Sequence, residues 1–393
     1  MKRFLIIGSL SAVLLLSGCW DRIEINDLAF ITGTALDLTD DGQYEAALQI
    51  ALTSAGEGGP GTGGSGRQEP FFVISAVGDN ANEVLQKLQS KSSRRLFTAH
   101  RSVIFIGESL ARRGFEDLLD TFTHDPRNRL KTYIMVVKGG KAQSILHTKY
   151  PFEQAPIQAV KEMEELKGEL AVTLRDFFIA SSSEGIHPVS GVIESEDASS
   201  MGKKDDRIFR SGGSALFNHF KLVGYLNEKE TSAFSWVTNT LKFSRVTATL
   251  PEDKGNAGMF LNQVKRKMNI QLNEDDQVKI HLVLRGDGSI VENNTSLDLR
   301  DQANLEFIKR ELEISVENQV RSMLTKVQKQ YGIDCLGFGR EIFRSHPNKW
   351  RTMEGQWDKT FSDVDVSIDV KLKIRGTGMA GPSLQLTEKE IRK

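Results

Sequence analysis

The chain of 393 residues is poor in cysteine, with two in all, Cys19 and Cys335. A framework of stapling disulfides is therefore excluded, and the fold must stand on packed apolar surface. Charge of one sign is also missing. Lys plus Arg number 51 and Asp plus Glu 52, a formal net charge of −1, so no basic excess marks a nucleic-acid binder. After the first sixteen residues no apolar run approaches eighteen, and a second membrane crossing by a helix is not expected.

The usual signatures of chemistry are absent as well. There is no His-Glu-x-x-His, no Cys-x-x-Cys and no Gly-x-Ser-x-Gly elbow. Gly61-x-Gly63-x-x-Gly66 matches a dinucleotide fingerprint in letters only, since no apolar strand precedes it and Arg67-Gln68-Glu69-Pro70 follows where a helix should start. Gly140-Lys141-Ala142 and Gly202-Lys203-Lys204 lack the hydroxyl that would meet magnesium. The seven histidines are scattered singly, and His100, His124 and His346 read as structural or surface residues rather than metal ligands. Arg285-Gly286-Asp287 reads as part of a hairpin turn. Neither a cofactor nor a metal is expected, and no enzyme activity.

What is present begins at the N-terminus. Lys2 and Arg3 precede the apolar run Phe4 to Leu16, the length of a secretory leader and too short to span comfortably. Leu16-Ser17-Gly18-Cys19 resembles the bacterial lipobox. Residues 1–18 are thus expected to be a signal peptide and Cys19 the new N-terminus. That resemblance implies an S-diacylglycerol thioether on Cys19, with the freed amine as a second point of acylation, for instance by palmitate. Two or three chains anchor stably where one binds marginally. If Cys19 is acylated, Cys335 has no partner, and its apolar neighbours suit a small buried thiol.

Along the mature chain, Leu28 to Leu38 and Gln43 to Thr53 predict a strand pair around Asp41-Gly42. Residues 55–70 read as a flexible insertion before a strand at 71–77. Helix 80–92 carries Val84, Leu85 and Leu88 on one face; then follow strand 102–106, helix 108–122, strand 132–137, and helices at 141–147, 155–167 and 173–182. Residues 183–212 read as a boundary or long hairpin, and a smaller unit continues through strands at 213–217, 221–225 and 240–248 with a helical turn at 228–236. Strands are expected at 259–272, 278–285 and 289–292, with Gly286-Asp287-Gly288 as the turn. Leu305, Ile308, Leu312, Val316, Val320, Met323, Leu324 and Val327 recur at helical spacing, so 301–331 is one long helix stopped by Gly332. From Val364 to Ile374 apolar and polar residues alternate strictly, a strand with one buried face.

Three stretches together resemble the Ger(x)C lipoproteins, the C subunits of spore germinant receptors. They are Cys19-Trp20-Asp21-Arg22-Ile23-Glu24-Ile25-Asn26 with Ala29 to Asp37, then Ala99-His100-Arg101-Ser102 through Gly114, and Asp334-Cys335-Leu336-Gly337-Phe338-Gly339 with Trp350 and the closing strand to Gly378. Departures are the Gly-rich insertion at 56–66, Cys335 within its motif, and His124 before Asp125-Pro126. The resemblance implies an α+β protein of three domains, each a mixed or antiparallel sheet flanked by helices. With the sequence pattern this gives a signal peptide at 1–18, an N-terminal domain at 19–185, a small middle domain at 186–258, and a C-terminal domain at 259–393 bearing the long helix. It further implies a lipid-anchored position on the extracytoplasmic face of the inner spore membrane, and assembly with A and B membrane subunits. The small-molecule germinant would be bound by the partner subunit. The competing reading is an extracytoplasmic solute-binding lipoprotein, and a surface hydrolase is the third. Arg112, Arg113 and the outer face of helix 301–331 are the candidate partner surfaces.

Overall fold

The computed structural model describes residues 24–52, 70–125, 127–148, 150, 152–153, 155–166, 170–197, 207–251, 255–273 and 277–377. Cys19 with its leader, the Gly61–Gly66 fingerprint and the polar run at 198–206 lie outside the described residues.

Two sheets and their helices make up a mixed α/β body. The first sheet has nine strands: β1 (Leu28–Leu38), β2 (Tyr44–Ala51), β3 (Phe71–Gly78), β4 (Arg95–Phe97), β5 (Val103–Gly107), β6 (Tyr133–Lys138), β7 (Val189–Asp197), β8 (Arg207–Asn218) and β9 (Lys221–Leu226). Their spatial order is β3-β2-β1-β5-β6-β7-β8-β9, with β4 also pairing β1. The central strands β1, β5, β6 and β7 run parallel, whereas the hairpins on either side are antiparallel.

Central parallel strands are covered on both faces, which explains why β5 is a continuous apolar run. Ile104 and Ile106 face one layer, made of α1 (Ala81–Ser90), α2 (Glu108–Arg113), α3 (Glu116–His124) and α6 (Leu174–Ser182). Val103 and Phe105 face the other, made of α4 (Gln143–His147) and α5 (Pro156–Leu166). The helix expected at 108–122 is broken, because Gly114 at φ 106 leaves the helical region and Phe115 turns into the core. Helix starts follow their caps: Asn80 accepts from Glu83 N, and Thr173 and Asp176 form a reciprocal capping box.

Of the stretch 186–258, β7 to β9 complete the first sheet, while α7 (Glu228–Val237) and β10 (Ser244–Thr249) pack with the second. That sheet runs β10-β11-β12-β13, with β11 at Asn256–Leu272, β12 at Val278–Asn293 and β13 at Asp365–Gly376. The turn read at 286–288 is not a turn. β12 passes straight through it, bonded to β11 on one side and to β13 on the other. Its glycines answer a different need: a Cβ on Gly286 would press into Leu261 and Leu372, and Gly288 sits where the β11 backbone closes in beside a bulge.

Helix α8 (Gln302–Thr325) continues through a π-helical turn, Lys326–Tyr331, and stops at Gly332, which is left-handed at φ 64. Its buried stripe is Ile308, Leu312, Val316, Val320, Met323 and Leu324, as its spacing predicts. Three short helices, α9 (Phe338–Ser345), α10 (Pro347–Met353) and α11 (Trp357–Phe361), precede β13, which joins the sheet parallel to β12. Among the described residues no helix is long and apolar enough to cross a membrane.

Candidate functional site: the joint between the two sheets

A dense polar construction lies where the loop entering β7 meets the loop leaving the π-helical turn. Asp334 is wholly buried there. Its Oδ1 accepts from the backbone N–H groups of Leu336, Gly337 and Phe338 at 3.1, 2.8 and 3.2 Å. Its Oδ2 accepts from Gly339 N at 2.7 Å and from the Trp357 indole at 3.0 Å. Gly337 at φ 76 bends the chain so that consecutive amides point at one carboxylate. Burial pushes Asp334 up to about 6, against the pull of those donors. With five donors in place, no oxygen is left open to a substrate.

The same loop grips the first sheet. His187 N donates to Asp334 O at 2.8 Å, and Arg340 N to Gly185 O at 2.9 Å. Trp350 Nε1 donates to the Glu184 carboxylate. Gly185, at φ 67, lies against Gly339, so closely that a Cβ on it would sit 2.6 Å from Arg340 N. Lower down, the Tyr331 hydroxyl lies 3.3 Å from both N and O of Tyr225 in β9, and its ring fills the place of a Cβ on Gly224. Within the second sheet's own packing, Lys326 meets Glu230 of α7 at 2.7 Å.

The remaining reactive groups at the joint are muted. Cys335 is buried and free, and burial raises its thiol pKa, so it presents no thiolate. His187 Nε2 lies 3.7 Å from Asp358 Oδ2, and burial lowers the pKa of its imidazole. No group of three or more His, Cys, Asp or Glu that could hold a metal occurs among the described residues. His100 packs on Phe30 and Phe97, and His124 and His346 bond to Asp120 and Ser345.

Arg112 and Arg113, candidates for a partner surface, are engaged within the chain. Arg112 is bound to Glu108, while Arg113 donates to Gly42 O and lies over the Tyr44 ring. Ile314, 40% exposed, stands on the outer side of α8. The sequence marked Asp334 to Gly339 only as a shared motif. It gave no signal for Gly185 or Glu184, whose partners lie about 150 residues away.

The comparisons follow this architecture. A family model described as "Spore germination protein N-terminal domain" matches residues 21–195, and one described as "Spore germination B3/ GerAC like, C-terminal" matches residues 212–378. The chain belongs to the Ger(x)C family of spore germination proteins. Among its relatives in Bacillus subtilis (strain 168), putative spore germination protein YfkR is 29% identical over 90% of this chain and 91% of its own length. Spore germination protein KC is 27% identical over 96% of both. The crystal structure of the GerBC protein shares the fold, with a TM-score of 0.57 and 20% identity over 90% of this chain and all of that one.

Proposed function

We propose that the chain is the lipid-anchored, non-enzymatic subunit of a nutrient germinant receptor, held by Cys19 on the extracytoplasmic face of the inner spore membrane. It serves assembly and signalling beside A and B membrane subunits, and the germinant is bound by the partner. The observation that carries this reading is end-to-end similarity to spore germination proteins, over more than nine-tenths of several relatives. A joint whose polar groups are consumed by internal bonds supports a holding role over a chemical one.

The test is Cys19→Ala in the native spore. The variant should leave the inner-membrane fraction, and germination with nutrients should slow by at least tenfold while germination by dodecylamine is unaffected. A variant that remains on the membrane and germinates normally refutes the anchor, and normal germination without the gene refutes the receptor role.

A further inference from the structure

The second sheet carries its helix layer on one face. Ile280, Leu282 and Leu284 of β12 are buried there in one cluster with Leu312, Val316 and Val320 of α8. On the opposite face every second residue of β11 from Gln263 to Gln271 is exposed, as are Arg285 of β12 and Lys371, Lys373 and Arg375 of β13. A sheet face left to solvent is ordinarily polar, with charges of both signs interspersed. Here the register sets cations side by side. Lys265 stands directly opposite Arg285, and Arg285 directly opposite Lys371, three positive charges in one row across three strands. Like charges directly opposite each other destabilise a sheet, so folding alone gives no reason for this row.

The carboxylates on this face leave the excess in place. Asp287 is bonded to Arg375, whose Nε lies at 3.0 Å, and Asp365 stands opposite Lys279. Asp369 meets Lys371 at 2.9 Å. Lys265, Lys267, Arg285 and Lys373 make no ion pair among the described residues. Apolar groups border the cations at the β10 end. Ser244 turns toward Ser232 of α7, so its neighbours Phe243 and Arg245 point the other way, onto the open face. Arg245 lies 5.5 Å from the centre of the Phe260 ring, and Phe260 packs beside Phe243, which is 37% exposed. Val291, 53% exposed, lies two residues beyond Ser289, the partner of Phe260 in the register.

We propose that this open face lies on an anionic lipid surface, with the Lys265–Arg285–Lys371 row over the headgroups and Phe243, Phe260 and Val291 at the boundary with the acyl chains. The cations are spread across three strands instead of gathered round a groove, which fits a layer of many anions and not one small one. Aromatic rings beside a guanidinium are at home where headgroups meet hydrocarbon. The receptor reading brings the chain to a bilayer through Cys19, and this face adds a second hold that the receptor reading does not require.

The experiment attaches an environment-sensitive fluorophore to Val291→Cys in the full acylated chain. Cys335 is buried, and the chain without Val291→Cys gives the background. The chain is bound to vesicles of phosphatidylcholine alone or of equal parts phosphatidylcholine and phosphatidylglycerol. Flotation with the neutral vesicles reads the Cys19 attachment by itself, so failure of the anchor and failure of the face are distinct results. Quenching by acrylamide should fall about threefold on the anionic vesicles relative to the neutral ones, and the difference should vanish in about 0.5 M salt. The combined exchange Lys265→Gln, Arg285→Gln and Lys373→Gln should abolish it as well. Equal quenching on both vesicles, or a difference that survives the salt or the exchange, overturns the proposal. Equal protection by soluble polyglutamate on neutral vesicles also overturns it, and assigns the row to an acidic polypeptide. If the exchanged chain does not fold, the salt arm on the native residues decides.

Discussion

Replacing Gly185 by Ala tests whether the two sheets are joined as the geometry describes. Two separate costs arise. An L-residue in the left-handed region loses about 1–2 kcal/mol. In addition, the new Cβ would lie 2.6 Å from Arg340 N and 2.8 Å from Gly339 Cα, both backbone atoms that cannot rotate aside. The loops must part, and the hydrogen bonds Arg340 N to Gly185 O and His187 N to Asp334 O are stretched or lost, at about 0.5–1.5 kcal/mol each. The expected total is about 2–5 kcal/mol. Gly42 supplies the control, since it has φ 82 but nothing within 4 Å of its Cβ position, so Gly42→Ala bears the backbone cost alone. Urea titration followed by tryptophan fluorescence reads both variants, because Trp350 and Trp357 stand at the joint. Amide exchange at His187 and Arg340 should quicken only in Gly185→Ala. If the two variants lose equal stability, the close approach does not hold the sheets together and the reasoning fails.

Three further outcomes can be checked. Trp357→Phe removes one donor from Asp334 and should cost about 1.5–3 kcal/mol in the same titration, as a bond to a charged acceptor; a loss under 0.5 kcal/mol would count against the carboxylate as organiser of the loop. Asp334 has its folded pKa raised to about 6, so its contribution to stability is full below about pH 4 and is lost as pH rises through 6, at up to about 1.4 kcal/mol per pH unit. His187, lowered, acts in the opposite sense, so the effect is read as the difference between the native chain and Asp334→Asn at pH 4.5, 5.5 and 7; a constant difference contradicts it. Cys335 should stay silent to a thiol reagent at pH 8 until urea unfolds the chain, and prompt labelling in the native state would show that the core around it is open.

How far the sequence discloses this body depends on the range of each interaction. The α8 stripe from Ile308 to Leu324 and the alternation in β13 are legible because periodicity is written locally. At Gly286-Asp287-Gly288 the expected turn gives way to a continuous strand, since glycine serves tight turns and tight packing alike and only the flanking strands decide between them. Leu85 is a similar case: its spacing puts it beside Val84 and Leu88, yet it is 42% exposed at the edge of that buried face. The joint was half visible. The Asp334 motif is local, whereas Gly185, Glu184 and Tyr225 acquire meaning only from residues more than 100 positions downstream.

The chain crosses from the first sheet to the second once within the described core, between β9 and β10, and is then fastened back at two separate places, Gly185 on Arg340 and Tyr331 on Tyr225. A body pinned at one point swings freely, and each further contact removes a way for it to turn. Turning one sheet against the other therefore means breaking the Gly185–Arg340 and Tyr331–Tyr225 bonds as well as straining the single crossing.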